Sequence, residues 1–305
     1  MKKNPYLERM IIDSLARSMH VHQMVKLAVR VISDYDLYQR SGFPESIAIP
    51  QIDAARQIVR DIEQSGLITR FVEVLIDVHE NGEMGRKIPI SFLPQIIKEI
   101  ESMGYAYRIQ DGIFIESGDG VKTKGWGVLR EGSFYDFSFL RVDIVGNTEL
   151  VRMYPEKEIS RLYSDLQELF GRLVENREGR VWSWEGDGGL AAFYFSNKNI
   201  DATICGIEVL LELFLYNLLD RPIKKSLALR AAVHTGQCRF LNNTEQIESE
   251  TLKRVNLIES QQTEADNLTI SPGVYSDLGG KLASFFRPFE ISSQNFLYKY
   301  RLRWK

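Results

Sequence analysis

Phe137-Ser-Phe-Leu-Arg-Val-Asp143-Ile-Val-Gly146-Asn-Thr148, read with Glu185-Gly186-Asp187-Gly188-Gly189, decides the fold of this chain. The first stretch is an apolar run that ends on a carboxylate, and the second holds a carboxylate in a glycine turn. Between them Ile159, Leu162, Leu166, Leu169, Phe170, Leu173 and Val174 recur at a period near 3.6, which predicts a helix over 159–176 with one apolar face. Gly179 punctuates the return to a strand at 181–185. A strand, a helix and a strand make a right-handed crossover that returns the chain parallel to its start. Asp143 and Asp187 are therefore expected at one edge of one sheet. The chain then reverses into Leu190–Phe195, and a helix at 200–219 and a strand at Leu227–Gly236 complete the pattern. The sum is an α+β fold, a ferredoxin-like βαββαβ unit.

Outward from that unit, residues 1–115 carry helical patterns at about 6–19, 20–34, 51–64, 67–79 and 91–103, then a hairpin around Asp111-Gly112. The polar, glycine-rich stretch 116–133 reads as a linker, leaving 134–305 as the second domain. With 305 residues, 44% of them hydrophobic, the chain can bury two cores. Helices ending in a hairpin could form a winged helix that binds DNA. The first 115 residues carry 14 Lys plus Arg against 15 Asp plus Glu, so the concentration of positive charge that phosphate binding needs is missing. The net charge of −3 likewise gives no general attraction to nucleic acid or an anionic membrane. Nucleic acid is not an expected partner; a protein partner or a signal at this helical module is. Two cysteines, Cys205 and Cys238, fit a reducing interior better than a disulfide scaffold. Asn4-Pro5 followed by Glu8, Arg9 and Asp13 is no signal peptide. Glu208 and Glu212 interrupt the most apolar run, so no membrane span is expected and the cytoplasm is the expected location.

From about residue 134 the chain resembles the class III nucleotidyl cyclase (adenylate and guanylate cyclase) catalytic domain. Four stretches in the family's order carry the likeness: Val-Asp143-Ile-Val-Gly-Asn-Thr; Gly186-Asp187-Gly; Leu-Arg-Ala-Ala-Val-His234-Thr-Gly236; and Arg-Val-Asn256-Leu followed by Leu268-Thr-Ile-Ser271. The resemblance implies conversion of a nucleoside triphosphate to a 3′,5′-cyclic nucleotide and pyrophosphate with two ions per site, Mg2+ or Mn2+. Asp143 and Asp187 match the family's metal-binding aspartates, and Ile144, Val145, Gly146, Asn147 and Thr148 match its phosphate-facing loop. Asn256 matches the catalytic asparagine that orients the ribose. A homodimer is implied, because the family builds each site from two subunits. The chemistry is compatible with the residues: two metal ions can serve both ends of an in-line displacement at phosphorus. Magnesium needs only a few carboxylate oxygens when phosphate and water fill its other positions.

Departures from the family pattern concern the base and the transition state. Ser183 stands where purine cyclases carry a lysine or glutamate, and Ser249 where their second base-recognising residue lies. The selected base is therefore open, with a purine or a pyrimidine, as in bacterial antiphage signalling, both admitted. Ser260 replaces the arginine expected to face developing negative charge. Loss of such a group costs about two to four orders of magnitude in rate, unless Lys253, Arg254 or Arg239 supplies a substitute. An impaired cyclase-homology protein that senses nucleotide is the alternative reading, and a DNA-binding regulator a further one. His234, in a strand of alternating apolar residues, reads as a core or rim histidine, and the Asp of a Gly-Asp-Gly turn is by itself a good turn residue.

Overall fold

The computed structural model describes residues 4–83, 85–117, 122–219, 223–292 and 295–302. The chain divides into two compact units, residues 1–123 and 124–305.

The first unit runs α1 (Pro5–Ser18), α2 (Val21–Val29), α3 (Leu37–Ser41), α4 (Gln51–Gln64), α5 (Ile68–Asn81), α6 (Leu93–Ser102), β1 (Tyr105–Arg108) and β2 (Ile113–Glu116). The Asn4 side chain accepts the N–H groups of Tyr6 and Leu7 at 3.1 Å, so the first turn of α1 has its donors satisfied. The helix expected over 20–34 stops at Val29, and α3 follows as a separate short helix. Asp36 caps α3 by accepting the Gln39 N–H, and Gly42 ends it at φ +71°. Alanines and β-branched residues on α4 (Ala54, Ala55, Ile58, Val59) are fully buried, as are Phe71, Val72 and Leu75 of α5. The hairpin pairs Tyr105 with Glu116 and is fastened to α5 through buried Glu73, which accepts the Phe114 N–H at 2.8 Å.

The second unit runs β3 (Phe134–Ile144), α7 (Asn147–Met153), α8 (Glu156–Asn176), β4 (Arg180–Glu185), β5 (Gly188–Phe193), α9 (Lys198–Leu219), β6 (Leu229–Arg239), α10 (Glu250–Gln262), β7 (Asn267–Ile270), α11 (Pro272–Ser276), α12 (Gly280–Ala283), β8 (Arg287–Ser292) and β9 (Asn295–Arg301). Its strands lie in the order β4-β5-β3-β6-β7-β9-β8. The first four, with α8 and α9, are the ferredoxin-like βαββαβ unit: β5 is antiparallel to both β3 and β4, so β3 and β4 run parallel with β5 between them. Alternation along β3 sends Leu140, Val142 and Ile144 into the core beneath α8 and α9. Phe137, Phe139, Arg141 and Asp143 take the opposite face, where Phe137 and Phe139 pack on Trp182.

Residues 124–133, read from composition as part of a linker, belong to the second unit. Trp126 is fully buried, and its Nε1 donates to the Glu178 carbonyl at 2.7 Å. The glycine beside it is there for close approach: a Cβ on Gly125 would stand 2.8 Å from the Phe240 ring. Helix α9 differs from expectation too, being long and apolar enough to cross a membrane by length and composition. Its Ala202, Cys205, Val209 and Leu213 are buried in the core beneath the sheet, and Glu208 and Glu212 pair with Arg177, which caps the C-terminus of α8, and with Arg172 of α8.

His234 on β6 has its Nδ1 2.9 Å from Ser271 Oγ, and burial, with a smaller push from Arg254, moves its pKa down to about 4. A base with a lower pKa folded than unfolded binds fewer protons when folded. Its contribution is complete above the unfolded value near 6.5 and is lost as pH falls toward 4. Allowing for partial exposure, roughly 1–2 kcal/mol should disappear over that window. Urea denaturation followed by tryptophan fluorescence should show His234→Gln losing less stability than wild type on acidification; parallel losses would exclude the linkage.

Candidate functional site

The site grows from a strand register. β3 and β5 place Asp143 opposite Gly188, and Glu185 pairs with Gly188 across a two-residue turn, Gly186-Asp187. Gly186 takes φ +57°, the left-handed conformation that a tight hairpin demands at its first central position, and Trp184 Nε1 donates to its carbonyl at 3.1 Å. Gly188 allows the contact between turn and strand. A Cβ there would lie 2.8 Å from the Val142 carbonyl oxygen and 2.9 Å from Asp143 Oδ1. Burial raises the Asp187 carboxyl above its ordinary range and the Asp143 charge raises it further, against an opposing pull from Arg141 and Arg230. The register therefore sets the two aspartates at one edge of the sheet, near enough for the charge of one to act on the other.

Arg230 stands opposite Asp143 on the other neighbouring strand. Its Nη2 donates to Asp143 Oδ2 at 2.7 Å, and its Nη1 donates to the Ser260 carbonyl at 3.3 Å. Its Nε lies 2.8 Å from Glu259 Oε1, an ion pair held by charge without an aligned hydrogen bond. Glu259, 4% exposed, projects from α10 toward the sheet, and burial raises its carboxyl. Arg141 lies on the Asp143 face of β3, and its buried Nε has no hydrogen-bond acceptor among the described residues. Tyr163 of α8 closes the rim, donating to Asn147 Oδ1 at 2.6 Å; burial raises its hydroxyl, and Asp187 and Asp143 add to that. Three carboxylates face two guanidinium groups, leaving one negative charge uncompensated when all are ionised.

The other expected positions scatter. Ile144 is buried in the core, and the Val145 N–H is spent on the Ala228 carbonyl at 2.9 Å. Only Gly146, Asn147 and Thr148, at the start of α7, keep first-turn N–H groups without an intrahelical acceptor, so the five-residue phosphate loop shrinks to three. Asn256 and Ser260 lie on the exposed side of α10 while Val255 and Glu259 face inward, so one chain does not bring Asn256 to its own aspartates. Ser183 sits beside a bulge in β4, paired with Leu190, in the row that Arg141 also joins. Ser249 is occupied as the cap of α10, accepting the Leu252 N–H at 3.1 Å. Of the candidate substitute cations, Lys253 pairs with Glu250, Arg239 donates to the Gly132 carbonyl, and Arg254 lies near His234. Arg141 and Arg230 are the cations at the carboxylates.

Among the described residues no group of three His, Cys, Asp or Glu could hold a metal unaided. Two hard carboxylates at a sheet edge suit a divalent cation that completes its shell with water and phosphate oxygens.

No family model matches the chain, and no curated protein matches it. Among solved structures it is similar to the adenylyl cyclase CyaB from P. aeruginosa, at 18% identity over 57% of this chain and 96% of that one, with a TM-score of 0.48. It is also similar to the guanylyl cyclase Cya2 (16% identity, 56% and 92% covered, TM-score 0.48). The guanylate cyclase domain of RhGC from Catenaria anguillulae gives 13% identity, 55% and 96% covered, and a TM-score of 0.47.

Sequence reading overlooked Arg141, Arg230, Glu259 and Tyr163. The two arginines carried a signal, since each is a charge in an otherwise apolar strand, and Arg141 shares the parity of Asp143. Glu259 and Tyr163 acquire meaning only through long-range packing.

Gly188→Ala should displace the Asp143 carboxylate and destabilise the unit by about 1–3 kcal/mol. Gly171→Ala, mid-way along α8 with nothing within 4 Å of the new Cβ, should instead stabilise by roughly 0.5–1 kcal/mol. Urea midpoints check both; equal shifts in the two variants would contradict the close approach at Gly188.

Proposed function

We propose that the second unit is a nucleotidyl cyclase that makes a 3′,5′-cyclic nucleotide and pyrophosphate from a nucleoside triphosphate. The observation that carries this reading is the register of Asp143 against Gly188, which brings two aspartates with overlapping fields to one sheet edge. Two like charges so placed repel, and the repulsion is relieved by a cation. Asp143 and Asp187 are the residues that would hold Mg2+ or Mn2+, which when bound polarises the α-phosphate and neutralises the departing pyrophosphate. The first-turn N–H groups of α7 would face phosphate oxygens. Asn256 would orient the ribose from a second copy of the chain, because in its own chain it lies on the outer side of α10.

One observation favours the impaired, nucleotide-sensing alternative. The Ser260 hydroxyl donates back to the Asn256 carbonyl at 2.8 Å, so the position of the missing arginine offers no cation to substrate. With Ser183 short and Ser249 committed to its cap, neither base position supplies a charge, and both purine and pyrimidine triphosphates remain candidate substrates.

Purified protein incubated with Mg2+ or Mn2+ and each of the four ribonucleoside triphosphates should yield a cyclic nucleotide by mass spectrometry. Asp143→Ala and Asp187→Ala should each lower the yield by about a thousandfold or more. Tight triphosphate binding without product would select the sensor, and neither binding nor product would overturn both readings. For the two-chain site, mixing Asp143→Ala with Asn256→Ala should restore about a quarter of wild-type turnover, since half the dimers are mixed and each mixed dimer holds one intact site. A mixture as inactive as its components would place Asn256 outside a shared site.

A further inference from the structure

Glu259 is a carboxylate on the buried side of a helix, where an apolar residue would ordinarily stand. Its ion-pair partner among the described residues is Arg230, whose Nε lies 2.8 Å away, while Arg141 acts on it only through space. Neither Glu259 Oε1 nor Arg230 Nε makes an aligned hydrogen bond among the described residues. Such a pair is incompletely satisfied, and a buried carboxylate with spare acceptor capacity is costly to keep. Meanwhile the same guanidinium spends Nη2 on Asp143 Oδ2 at 2.7 Å and Nη1 on the Ser260 carbonyl at 3.3 Å. Arg230 is thus suspended between two carboxylates, one belonging to the candidate metal site and one not.

From this geometry we propose that Arg230 is a built-in competitor for the cation at Asp143, and that Glu259 is the positioning residue that receives it when the cation arrives. The inference rests on the reading of Asp143 as a metal ligand and adds what controls its occupancy. A divalent ion bound to Asp143 and a guanidinium on the same carboxylate repel strongly at a few ångströms. Without Glu259, retreat would leave the half-buried Arg230 with no carboxylate to pair with. With it, Arg230 pivots about the Ser260 carbonyl, gives up Oδ2 and completes its hydrogen bonds to Glu259, so both unsatisfied atoms find partners as the metal enters. No bond is made or broken; a hydrogen bond moves from one carboxylate to another.

The test is Mn2+ affinity of the full chain without nucleotide, read from the free-ion signal by electron paramagnetic resonance. Wild type should bind and Asp143→Ala should not; wild type showing no Asp143-dependent binding overturns the metal reading and this inference together. Given that binding, Arg230→Gln should tighten Mn2+ about tenfold and Glu259→Gln should weaken it about tenfold. Bare Coulomb effects share those signs but add independently, so the double variant decides. If Glu259 acts through Arg230, then Arg230→Gln/Glu259→Gln binds within about twofold of Arg230→Gln alone, a coupling that additive charges lack. A double variant that returns to wild-type affinity overturns the inference while leaving the metal site standing. Should a single variant fail to fold with its partner charge stranded, the double variant, with both members of that pair neutral, is compared with wild type: about tenfold tighter binding supports the competitor, and equal affinity refutes it.

Discussion

One close approach governs the second unit, that of the bare Cα of Gly188 against Asp143 and the Val142 carbonyl. The sheet could be built with any small residue on β5, but the edge geometry could not. Placing Asp143 opposite Gly188 fixes the parity of β3, so Arg141 and Asp143 share one face while Val142 and Ile144 fill the core. It also fixes the hairpin, since Gly186-Asp187 is the whole of the turn between paired Glu185 and Gly188. A slip of one residue would turn Asp143 into the hydrophobic core and Val142 out to solvent. The carboxylate pair and the packing of α8 and α9 are therefore set by the same register, which is why the site cannot drift without cost to the fold.

Around that edge, charge is compensated in layers. Asp143 has a direct partner in Arg230, whereas Asp187 feels Arg141 and Arg230 only through space. Their environments differ accordingly: Asp143 is held in a short hydrogen bond, and Asp187 sits in a turn with its proton held more tightly than an ordinary aspartic acid. Glu259 then adds a third carboxylate behind Arg230, out of water, where a helix would gain more from an apolar residue. The surplus negative charge is confined to a small surface, while the rest of the chain is close to neutral. Charge confined in this way creates a local negative potential without making the whole molecule a polyelectrolyte.

Much of this architecture was legible in the residues, because its determinants are local. The 3.6 period of α8, the alternation of β3 and β6 and the Gly-Asp turn each report on a few neighbouring positions, and together they imply the crossover. What escaped depends on contacts far apart in the chain. Trp126 sits in a stretch whose glycines resemble a linker, yet Gly125 allows a close approach to Phe240 while the tryptophan stacks on Phe137 and donates to the Glu178 carbonyl. The Val145 amide looks free to bind phosphate until Ala228 is found to accept it. The β8–β9 hairpin has no sharp turn signal, and Arg230 became a site residue only when β6 paired with β3. In each case the deciding partner lies on another element, and no window of sequence contains both.

Helix α10 brings these threads together, because its two sides have separate tasks. Val255 and Glu259 face the sheet, the first as packing and the second as counterion; Asn256 and Ser260 follow each by one residue and face outward. A helix cannot place residues one apart on the same side, so this division is imposed by geometry. It explains why Arg230 cannot act as a cation at position 260 would, although that guanidinium reaches the Ser260 carbonyl from the strand side. A cation delivered from beneath the helix serves Asp143 of its own chain, whereas one projecting from residue 260 would serve whatever meets the outer face. The two are equivalent in charge and opposite in address, and this chain carries the first and has a serine at the second.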